Sequence, residues 1–184
     1  MTEIEKELIT YFDQVMKGKI TEKSKTWLMK NGFFRAPCSS KYHLSCEGGL
    51  ALHSFNVTES LIYLTGKLGL KWEREESPYL IGMFHDLCKI DQYHYNPIRK
   101  TYEWNTDQQI VGHGDKSIVL IEQNICELTD EERVCIRWHM GAFDTKENWT
   151  NYTNAIQQYP NVLFTHTADM MSTHILEKED ENGQ

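Results

Sequence analysis

Paired cysteines, long apolar runs and an excess of basic residues are all missing from this sequence of 184 residues, and each absence narrows the possible functions. The five cysteines are odd in number and include no C-x-x-C pair. We therefore expect neither a disulfide framework nor a cysteine-based zinc site, and a cytoplasmic location, where thiols stay reduced, fits best. Three of the cysteines lie in apolar helical patterns and are interpreted as small buried hydrophobes: Cys88, Cys126 and Cys135.

No apolar run approaches the roughly 20 residues that span a bilayer. The N-terminal stretch MTEIEKELITYFDQVMKGK resembles no signal peptide, so no membrane partner is expected. The formal net charge of -8 argues against broad nucleic-acid binding, because such binding neutralises phosphates with clustered Lys and Arg. This charge still allows a small phosphorylated ligand, or a nucleic-acid end, held by a metal and a few local cations.

Apolar residues follow a helical period over most of the chain, which predicts an all-α fold, and the length is that of one domain covering 1–184. In YHYNPIRKTYEW, residues 93–104, β-branched and aromatic residues flank Asn96-Pro97, which predicts a minor β-hairpin. The charged tail EKEDENGQ is expected to fray over 178–184. The predicted helices cover 2–17, 21–30, 49–68, 78–90, 113–126, 130–140 and 160–177, and the irregular stretch 33–49 is interpreted as a structured loop.

Two of the helix starts carry capping signals. Ser77-Pro78 predicts an N-cap serine and a first-turn proline for the helix that begins at 78. Thr129 and Glu132 have the spacing of a capping box, in which each side chain bonds the backbone N–H of the other residue.

Titratable side chains occupy core positions in these helices. The apolar stripe of the 49–68 helix advances in steps of three or four residues, and His53 fills the place between Leu50 and Val57. His85 and Asp86 follow the stretch YLIGMF, where burying them is costly unless they have a partner. Neighbours in sequence diverge by about 100° around a helix. A metal ion lying between the two side chains would give both of them that partner.

Later helices add further inward positions. Asp169 lies seven residues after Val162, and His139 lies three residues after Ile136, so both side chains are expected to face the core. His113 stands at a helix start flanked by glycines, where a side chain and free backbone N–H groups can face the same ligand.

Simpler explanations exist for several of these residues. Taken alone, His53 is more often a satisfied core histidine than a ligand, and Lys89 could extend its ammonium to the surface. Asp86 is harder to explain this way, because aspartate is almost never buried unpaired. The remaining loop, hairpin and C-terminal histidines are interpreted as structural: His43, His94 and His174.

The ordered residues His53, His85-Asp86 and Asp169 resemble the H…HD…D signature of the HD superfamily of metal-dependent phosphohydrolases. Five segments are similar to family segments in the same order: GGLALHSFNV, MFHDLCKI, VGHGDKS, RWHMGAFD and THTADMMS. They resemble most closely small bacterial and phage HD proteins and the HD domain of certain 3′–5′ exoribonucleases. The resemblance spans about residues 45–175, most of the chain.

The resemblance implies an HD-domain helical bundle that binds a divalent metal through four side chains: His53, His85, Asp86 and Asp169. In family members with two metals, extra histidines lie between the HD pair and the last aspartate. His113 and His139 occupy those places here, and Asp86 would then bridge both ions, so one ion or two remain open. His166 is either a further ligand or a partner of a ligand.

Such a ligand set suits Mn, Fe, Co, Ni, Zn or Mg. The expected reaction is hydrolysis of a nucleotide-type phosphoester by attack of metal-activated water, with Asp86 and Lys89 as the catalytic residues. Lys89 matches the family segment HD-x-x-K and would be the counter-charge for a phosphate oxygen. Arg35 and Arg137, together with Lys41, are weaker candidates for contact with the phosphate.

The substrate is less well defined than the reaction. The pair His85-Asp86 is not followed by the Glu-Asp of alarmone hydrolases, and the short chain disfavours the triphosphohydrolases, which leaves nucleotide monoesters, cyclic nucleotides or oligonucleotide ends. Two other classes of function stay open. One is a metal-binding HD domain that senses or sequesters a nucleotide without turnover, and the other is a structural helical module with buried histidines. The sequence predicts no oligomeric state.

Overall fold

The computed structural model describes residues 1–108, 110, 112–141 and 148–178. Within these ranges the fold is all-α with one small antiparallel hairpin, which confirms the predicted fold class. The tail expected to fray lies outside the described residues apart from Lys178. The elements are α1 (Glu3–Val15), α2 (Glu22–Lys30), α3 (Gly49–Leu68), α4 (Ser77–Phe84), β1 (Tyr93–Asn96), β2 (Thr101–Trp104), α5 (Gly114–Asn124), α6 (Asp130–Arg137), α7 (Trp149–Gln158) and α8 (Asn161–Met171).

The predicted helix over 78–90 is wrong as a single helix. Helix α4 ends at Phe84, and a separate 3-10 turn covers Leu87–Asp91. Asp86 lies in the break with φ -103 and ψ 18, outside α-helical geometry. The apolar pattern contains no stop signal at this point. Polar contacts of the buried residues His85 and Asp86, described below, therefore override the local helical preference.

The C-terminal prediction also needs correction. Instead of one helix over 160–177, α8 ends at Met171 and continues as a π-helical turn over Ser172–Leu176. Helix α7 is an addition to the predicted helices, since its sequence WTNYTNAIQQ contains few apolar residues. The other predicted helices agree with the observed ones to within three residues at each end.

One of the two capping predictions is confirmed. Thr129 Oγ1 accepts a hydrogen bond from the Glu132 N–H at 3.3 Å, and Glu132 Oε2 accepts one from the Thr129 N–H at 2.9 Å. In the other, Pro78 lies in the first turn of α4 as predicted, but Ser77 is not the N-cap, since Glu76 holds that position and Ser77 Oγ donates to Glu132 Oε1 at 2.8 Å. Arg74 also donates to the buried Glu132 carboxylate. Glu132 therefore joins the starts of α4 and α6.

Two close contacts between helices determine where the candidate residues meet. Helix α3 packs against α4 and α8, and α5 packs against α6. A Cβ on Gly82 would lie 2.6 Å from Thr58 Cα, so only glycine permits this distance between α3 and α4. A Cβ on Gly114 would lie 2.8 Å from the carbonyl oxygens of Ile136 and Arg137, which likewise places the start of α5 against the end of α6.

The hydrophobic core includes buried residues of α3 and α4 and thereby holds the two helices in place. Its aromatic centre consists of buried rings in edge or tilted contact, with centroids 5.1 to 6.4 Å apart: Phe12, Phe33, Phe34 and Phe84. The hairpin pairs Tyr93 with Trp104 and Tyr95 with Tyr102, as antiparallel neighbours. No described helix has the length and apolar character needed to cross a lipid bilayer.

Candidate metal centre

Five segments bring the predicted ligands to one place. Helix α3 supplies His53, the break after α4 supplies His85 and Asp86, and α8 supplies Asp169. His113 is the N-cap of α5, and His139 follows the end of α6. All six are buried except His113, whose side chain is 32% exposed.

The first part of the centre, here called the deep group, comprises His53, His85, Asp169 and the Oδ2 atom of Asp86. His53 Nε2 lies 3.2 Å from His85 Nε2, 3.2 Å from Asp169 Oδ1 and 3.5 Å from Asp86 Oδ2. His85 Nε2 lies 3.6 Å from the same Asp86 oxygen. Four donor atoms from three regions of the chain therefore surround one point.

The second part, here called the outer group, comprises His113, His139 and the Oδ1 atom of Asp86. Oδ1 lies 3.0 Å from His113 Nε2 and 3.4 Å from His139 Nε2. The two imidazole nitrogens are 3.1 Å apart. The carboxylate of Asp86 thus directs one oxygen to each group.

Backbone carbonyls orient two of the imidazoles. His85 Nδ1 lies 2.9 Å from Gly82 O, and His139 Nδ1 lies 2.6 Å from Ile136 O. A carbonyl oxygen can only accept, so Nδ1 carries the proton and Nε2 presents a lone pair in each neutral ring. Burial lowers the pKa of His85 to about 4 despite the nearby Asp86 carboxylate, so this imidazole is neutral at physiological pH.

These contacts fit a divalent cation. Ligand atoms held about 2.0–2.2 Å from one ion are themselves about 3.0–3.5 Å apart, as the Nε2 atoms are here. Asp86 Oδ1 is buried and accepts no hydrogen bond from any described residue, although His113 Nε2 is close to it. His, Asp and Cys ligand atoms of buried or partly buried residues lie within 4.8 Å of one another in several sets of three. The residues are therefore positioned to bind a metal ion.

Lys89 lies beside this site, as its spacing from the HD pair predicts. Its ammonium is 2.7 Å from Asp86 Oδ2 and only 14% of the side chain is exposed. Burial alone would raise the pKa of Asp86, but the Lys89 ammonium and the imidazoles of His85 and His113 hold it well below its usual value. Burial would likewise lower the pKa of Lys89, and Asp86 raises it well above 10.5. Both groups are therefore charged.

His53 has a different electrostatic environment from His85. Burial alone would lower the pKa of His53, but the Cys38 sulfur and the carboxylates of Asp169 and Glu177 raise it well above 6.5. His53 Nδ1 lies 3.0 and 3.1 Å from the two carboxylate oxygens of Glu177. A proton on His53 therefore competes with a cation for this site.

Sequence reasoning missed three residues that surround the deep group. Cys38 Sγ lies 3.4 Å from His43 Nε2 and 3.5 Å from Lys89 Nζ, and His43 Nε2 lies 3.7 Å from Glu177 Oε2. The structural interpretation of His43 is thus incomplete, because its imidazole faces the site. Glu177, which was assigned to the charged tail, is buried. The loop over 33–49 has no periodicity that could have indicated which of its side chains point inward.

A similar omission concerns the outer group. Cys88 is buried, as predicted, but its Sγ lies 3.2 Å from His113 Nδ1 and belongs to one of the potential ligand sets with Asp86 and His113. The expectation of no disulfide agrees with the structure, in which none of the five cysteines is disulfide-bonded. The prediction that Cys88 is only a small buried hydrophobe is incomplete, because its thiol contacts a candidate ligand of the outer group.

A cavity of about 890 Å³ opens onto the deep group. Lys41, one of the candidates for phosphate contact, lines it together with Lys89. His174, interpreted as structural, also reaches this cavity. The complete lining consists of Lys41, Tyr42, His43, His53, Asp86, Lys89, Met140, Asp169, Met170, Thr173, His174, Glu177 and Lys178.

The two arginine candidates are not brought to this cavity. Arg35 lines a second cavity beside the hairpin, and its guanidinium contacts Glu5 Oε1 at 3.2 Å. Arg137 bonds Asp115 Oδ1 at 2.9 Å and stacks on the ring of Trp138. Each guanidinium thus pairs with a carboxylate that belongs to neither the deep nor the outer group.

His166 contacts a residue of the centre, whereas His94 lies on the hairpin. His166 Nδ1 lies 2.7 Å from the backbone oxygen of His139, so it supports a ligand from behind. His94 lies on the hairpin, half-exposed and 3.8 Å from Glu103 Oε2, in line with its structural interpretation.

Comparisons of the chain with protein-family models, curated proteins and solved structures give no match. The interpretation of the site therefore depends on its geometry. That geometry establishes a buried cluster of His, Asp and Cys side chains that could bind a metal ion.

Proposed function

We propose that this protein is a metal-dependent phosphohydrolase of the HD superfamily that cleaves a nucleotide-type phosphoester. One observation carries the proposal: the buried Asp86 directs its two oxygens to two groups of imidazole nitrogens, with the Lys89 ammonium beside it. The deep group opens onto a cavity that has further lysines in its wall. The combination of metal ligands with a separate fixed cation suits a phosphoryl substrate.

We propose two divalent ions, one held by the deep group and one by the outer group, with Asp86 shared between them. When bound, such ions lower the pKa of a coordinated water toward neutrality and polarise a phosphoryl oxygen. Histidine and carboxylate donors suit Mn, Fe, Co, Ni or Zn, and Mg to a lesser degree. The orphaned Oδ1 atom of Asp86 supports the second ion, since the deep group uses only Oδ2.

The chain's own residues would bind and orient the phosphate. Lys89 is held charged by Asp86, and its remaining N–H groups can donate to a non-bridging phosphate oxygen. Lys41 and Lys178 line the same cavity and place positive charge there, although the chain as a whole carries -8. Three carboxylates, of Asp86, Asp169 and Glu177, line the same cavity. Once cations bind Asp86 and Asp169, the lysines would favour a small anionic ligand.

The cavity also suits the size and polarity of a nucleotide. Its volume of about 890 Å³ falls in the usual range for small-molecule sites, roughly 300–1,000 Å³. Met140, Met170 and Tyr42 contribute apolar surface on which a nucleobase can pack, while the lysines face the phosphate. Nucleotide monoesters and cyclic or terminal diesters all have these two parts.

Elemental analysis followed by a phosphoester assay tests the proposal. The purified chain is loaded with Mn, Co, Ni or Zn and assayed on p-nitrophenyl phosphate, bis-p-nitrophenyl phosphate and a panel of nucleotides. Wild type is compared with Asp86→Asn, which keeps the shape but removes the shared charge. Asp130→Asn is the matched control, because Asp130 is an exposed carboxylate on α6. We expect Asp86→Asn to lose both metal and turnover and Asp130→Asn to keep both.

Two outcomes would replace the proposal by one of the other functional classes. Stoichiometric metal with nucleotide binding but no turnover on any ester would indicate a sensor or sequestering domain. Wild-type protein without stoichiometric metal, and with a melting temperature insensitive to EDTA, would indicate a structural helical module.

A further inference from the structure

Glu177 follows the π-helical turn after α8, and its carboxylate is buried against α3. Both carboxylate oxygens lie within 3.1 Å of His53 Nδ1, and Asn56 Nδ2 donates to Oε1 at 2.9 Å. Only 1% of the Glu177 side chain is exposed. A carboxylate is rarely buried to this degree without a specific partner, and here the partner is a ligand of the deep group.

The π-helical turn explains how Glu177 reaches this position. In an ideal α-helix, eight residues beyond Asp169 would leave Glu177 about 80° away around the axis. The turn over Ser172–Leu176 has more residues per turn than an α-helix, and it removes much of this offset. The Glu177 N–H donates to Ser172 O at 3.0 Å, which closes the wide turn. The side chains of Glu177 and Asp169 therefore project from similar directions around the axis of α8 and its π-helical continuation, and both reach His53.

We propose that Glu177 is a positioning residue that orients His53 for metal binding, an inference that rests on the proposed metal site. By accepting the Nδ1 proton, the carboxylate leaves the Nε2 lone pair of His53 directed at the deep group. A carboxylate in this position also makes the imidazole a stronger ligand, as in carboxylate–histidine–metal arrangements. Glu177 itself does not touch the reacting atoms.

The groups that orient the other ligands of the centre differ from the group that orients His53. His85 and His139 each use a neutral backbone carbonyl, which no side-chain substitution removes. His53 uses a charged side chain instead. Substituting Glu177 therefore measures how much the orienting group of His53 contributes to metal affinity, and no metal ligand is changed.

The experiment measures the dissociation constant of Zn²⁺ by chelator competition and the visible spectrum of the Co²⁺-loaded protein. Glu177→Gln keeps the shape and can still accept a hydrogen bond, but it lacks the charge. We expect its affinity for Zn²⁺ to fall by about 10–100-fold, the usual cost of losing an outer partner of a metal-ligating histidine. The Co²⁺ absorption bands should shift as well. Asn56→Ala, which removes the donor to Glu177, should cause a smaller loss.

Glu132→Gln is the matched control, because Glu132 is a buried and hydrogen-bonded glutamate that contacts no residue of the centre. It should lower the melting temperature while leaving the Zn²⁺ affinity and the Co²⁺ spectrum unchanged. In a His53→Gln background, Glu177→Gln should cause no further loss of affinity.

Wild-type Zn²⁺ affinity and an unchanged Co²⁺ spectrum in Glu177→Gln would overturn the positioning role. The proposed function would survive that result, since the wild type would still bind metal. A wild type that binds no Zn²⁺ or Co²⁺ at all would overturn both. Additive losses in the His53→Gln background would also contradict the inference, because Glu177 would then act independently of His53.

Discussion

The deep and outer groups of the centre share Asp86 but are held in different ways. His53 and Asp169 lie within helices, and His53 and His85 are almost completely buried, at 1% and 0% side-chain exposure. His113 lies at the N-cap of α5 with 32% of its side chain exposed, and its Nδ1 contacts the Cys88 thiol. The deep group is thus preorganised, whereas the outer group depends on one ligand at a helix end.

This difference predicts which of the two groups should have the higher affinity for a metal ion. Ligands whose rotamers are locked by packing lose less conformational entropy when a cation binds. We therefore expect the deep group to bind the first ion tightly and the outer group to bind a second ion more weakly. The first of the following predictions tests this order, and the others test the roles of the charged residues around the two groups.

The largest effect is expected from removing one histidine of each group. His53→Gln should lower the affinity for the first metal ion by more than the roughly 10–100-fold that loss of an outer partner costs. His113→Gln should leave one tight ion and remove the second. Metal titration with elemental analysis measures both. His94→Gln, on the hairpin, is the control and should bind like wild type. Loss of the first ion in His113→Gln would reverse the proposed order of the groups.

The next effect concerns turnover rather than metal. Lys89→Gln should reduce transition-state stabilisation by about 2–4 kcal/mol, by analogy with loss of one oxyanion donor. Its metal affinity should not fall, because the Lys89 ammonium lies 2.7 Å from Asp86 Oδ2 and competes with a cation there. Steady-state kinetics and metal titration separate the two quantities. Lys25→Gln, whose ammonium pairs with Asp13, is the control. An unchanged kcat in Lys89→Gln would rule out the role assigned to Lys89.

A moderate effect is expected from pH. The pKa of His53 is raised above 6.5, so its charged contacts stabilise the metal-free protein fully below about pH 6.5 and less as pH rises through the folded-state pKa. Metal requires the neutral ring, so the rise in melting temperature on adding Zn²⁺ should increase with pH in this window. His85, with a pKa of about 4, adds little to this dependence above pH 6. Thermal scans with Zn²⁺ and with EDTA from pH 6 to 8.5 measure the difference. A metal-induced rise that is constant over this range would contradict the prediction.

The smallest effect is expected at the edge of the outer group. Arg137→Gln should change kcat/KM by less than about twofold and stability by about 0–1 kcal/mol, because its guanidinium forms a part-exposed ion pair with Asp115. Lys41→Gln is the informative comparison, since Lys41 lines the cavity and its loss should raise KM for a phosphoester. If Arg137→Gln raised KM as much as Lys41→Gln does, Arg137 would contact the substrate as well, and the expectation for Arg137 would be wrong.

Periodicity was sufficient to predict the parts of the site that lie inside regular helices. His53 and Asp169 were assigned inward faces because residues three and four apart share a helix face, and the structure buries both. The ends of helices were predicted less well where tertiary contacts, and not local sequence signals, determine the position of the helix end. The break after Phe84, which lets His85 and Asp86 face one site, has no local signal in an apolar run.

The residues that escaped prediction depend on irregular backbone. Cys38 and His43 lie in a loop, where side-chain direction follows no period. Glu177 reaches His53 only because α8 widens into a π-helical turn, and an ideal helix would place it on another face. Arg35 and Arg137 are candidates by charge and by their position in the sequence near the ligand segments. Their ion pairs with Glu5 and Asp115 could not be foreseen without long-range packing.

The Glu132 carboxylate has a consequence for how the molecule opens. This one side chain caps α6 through Thr129 and accepts from Ser77 at the start of α4 and from Arg74 before it. Glu132 is fully buried. If one of these segments moves away, the carboxylate loses a hydrogen-bond partner while it is still shielded from water, and such a buried charge is unfavourable. The beginnings of α4 and α6 should therefore fray together, and their amide hydrogens should exchange with solvent as a single cooperative unit.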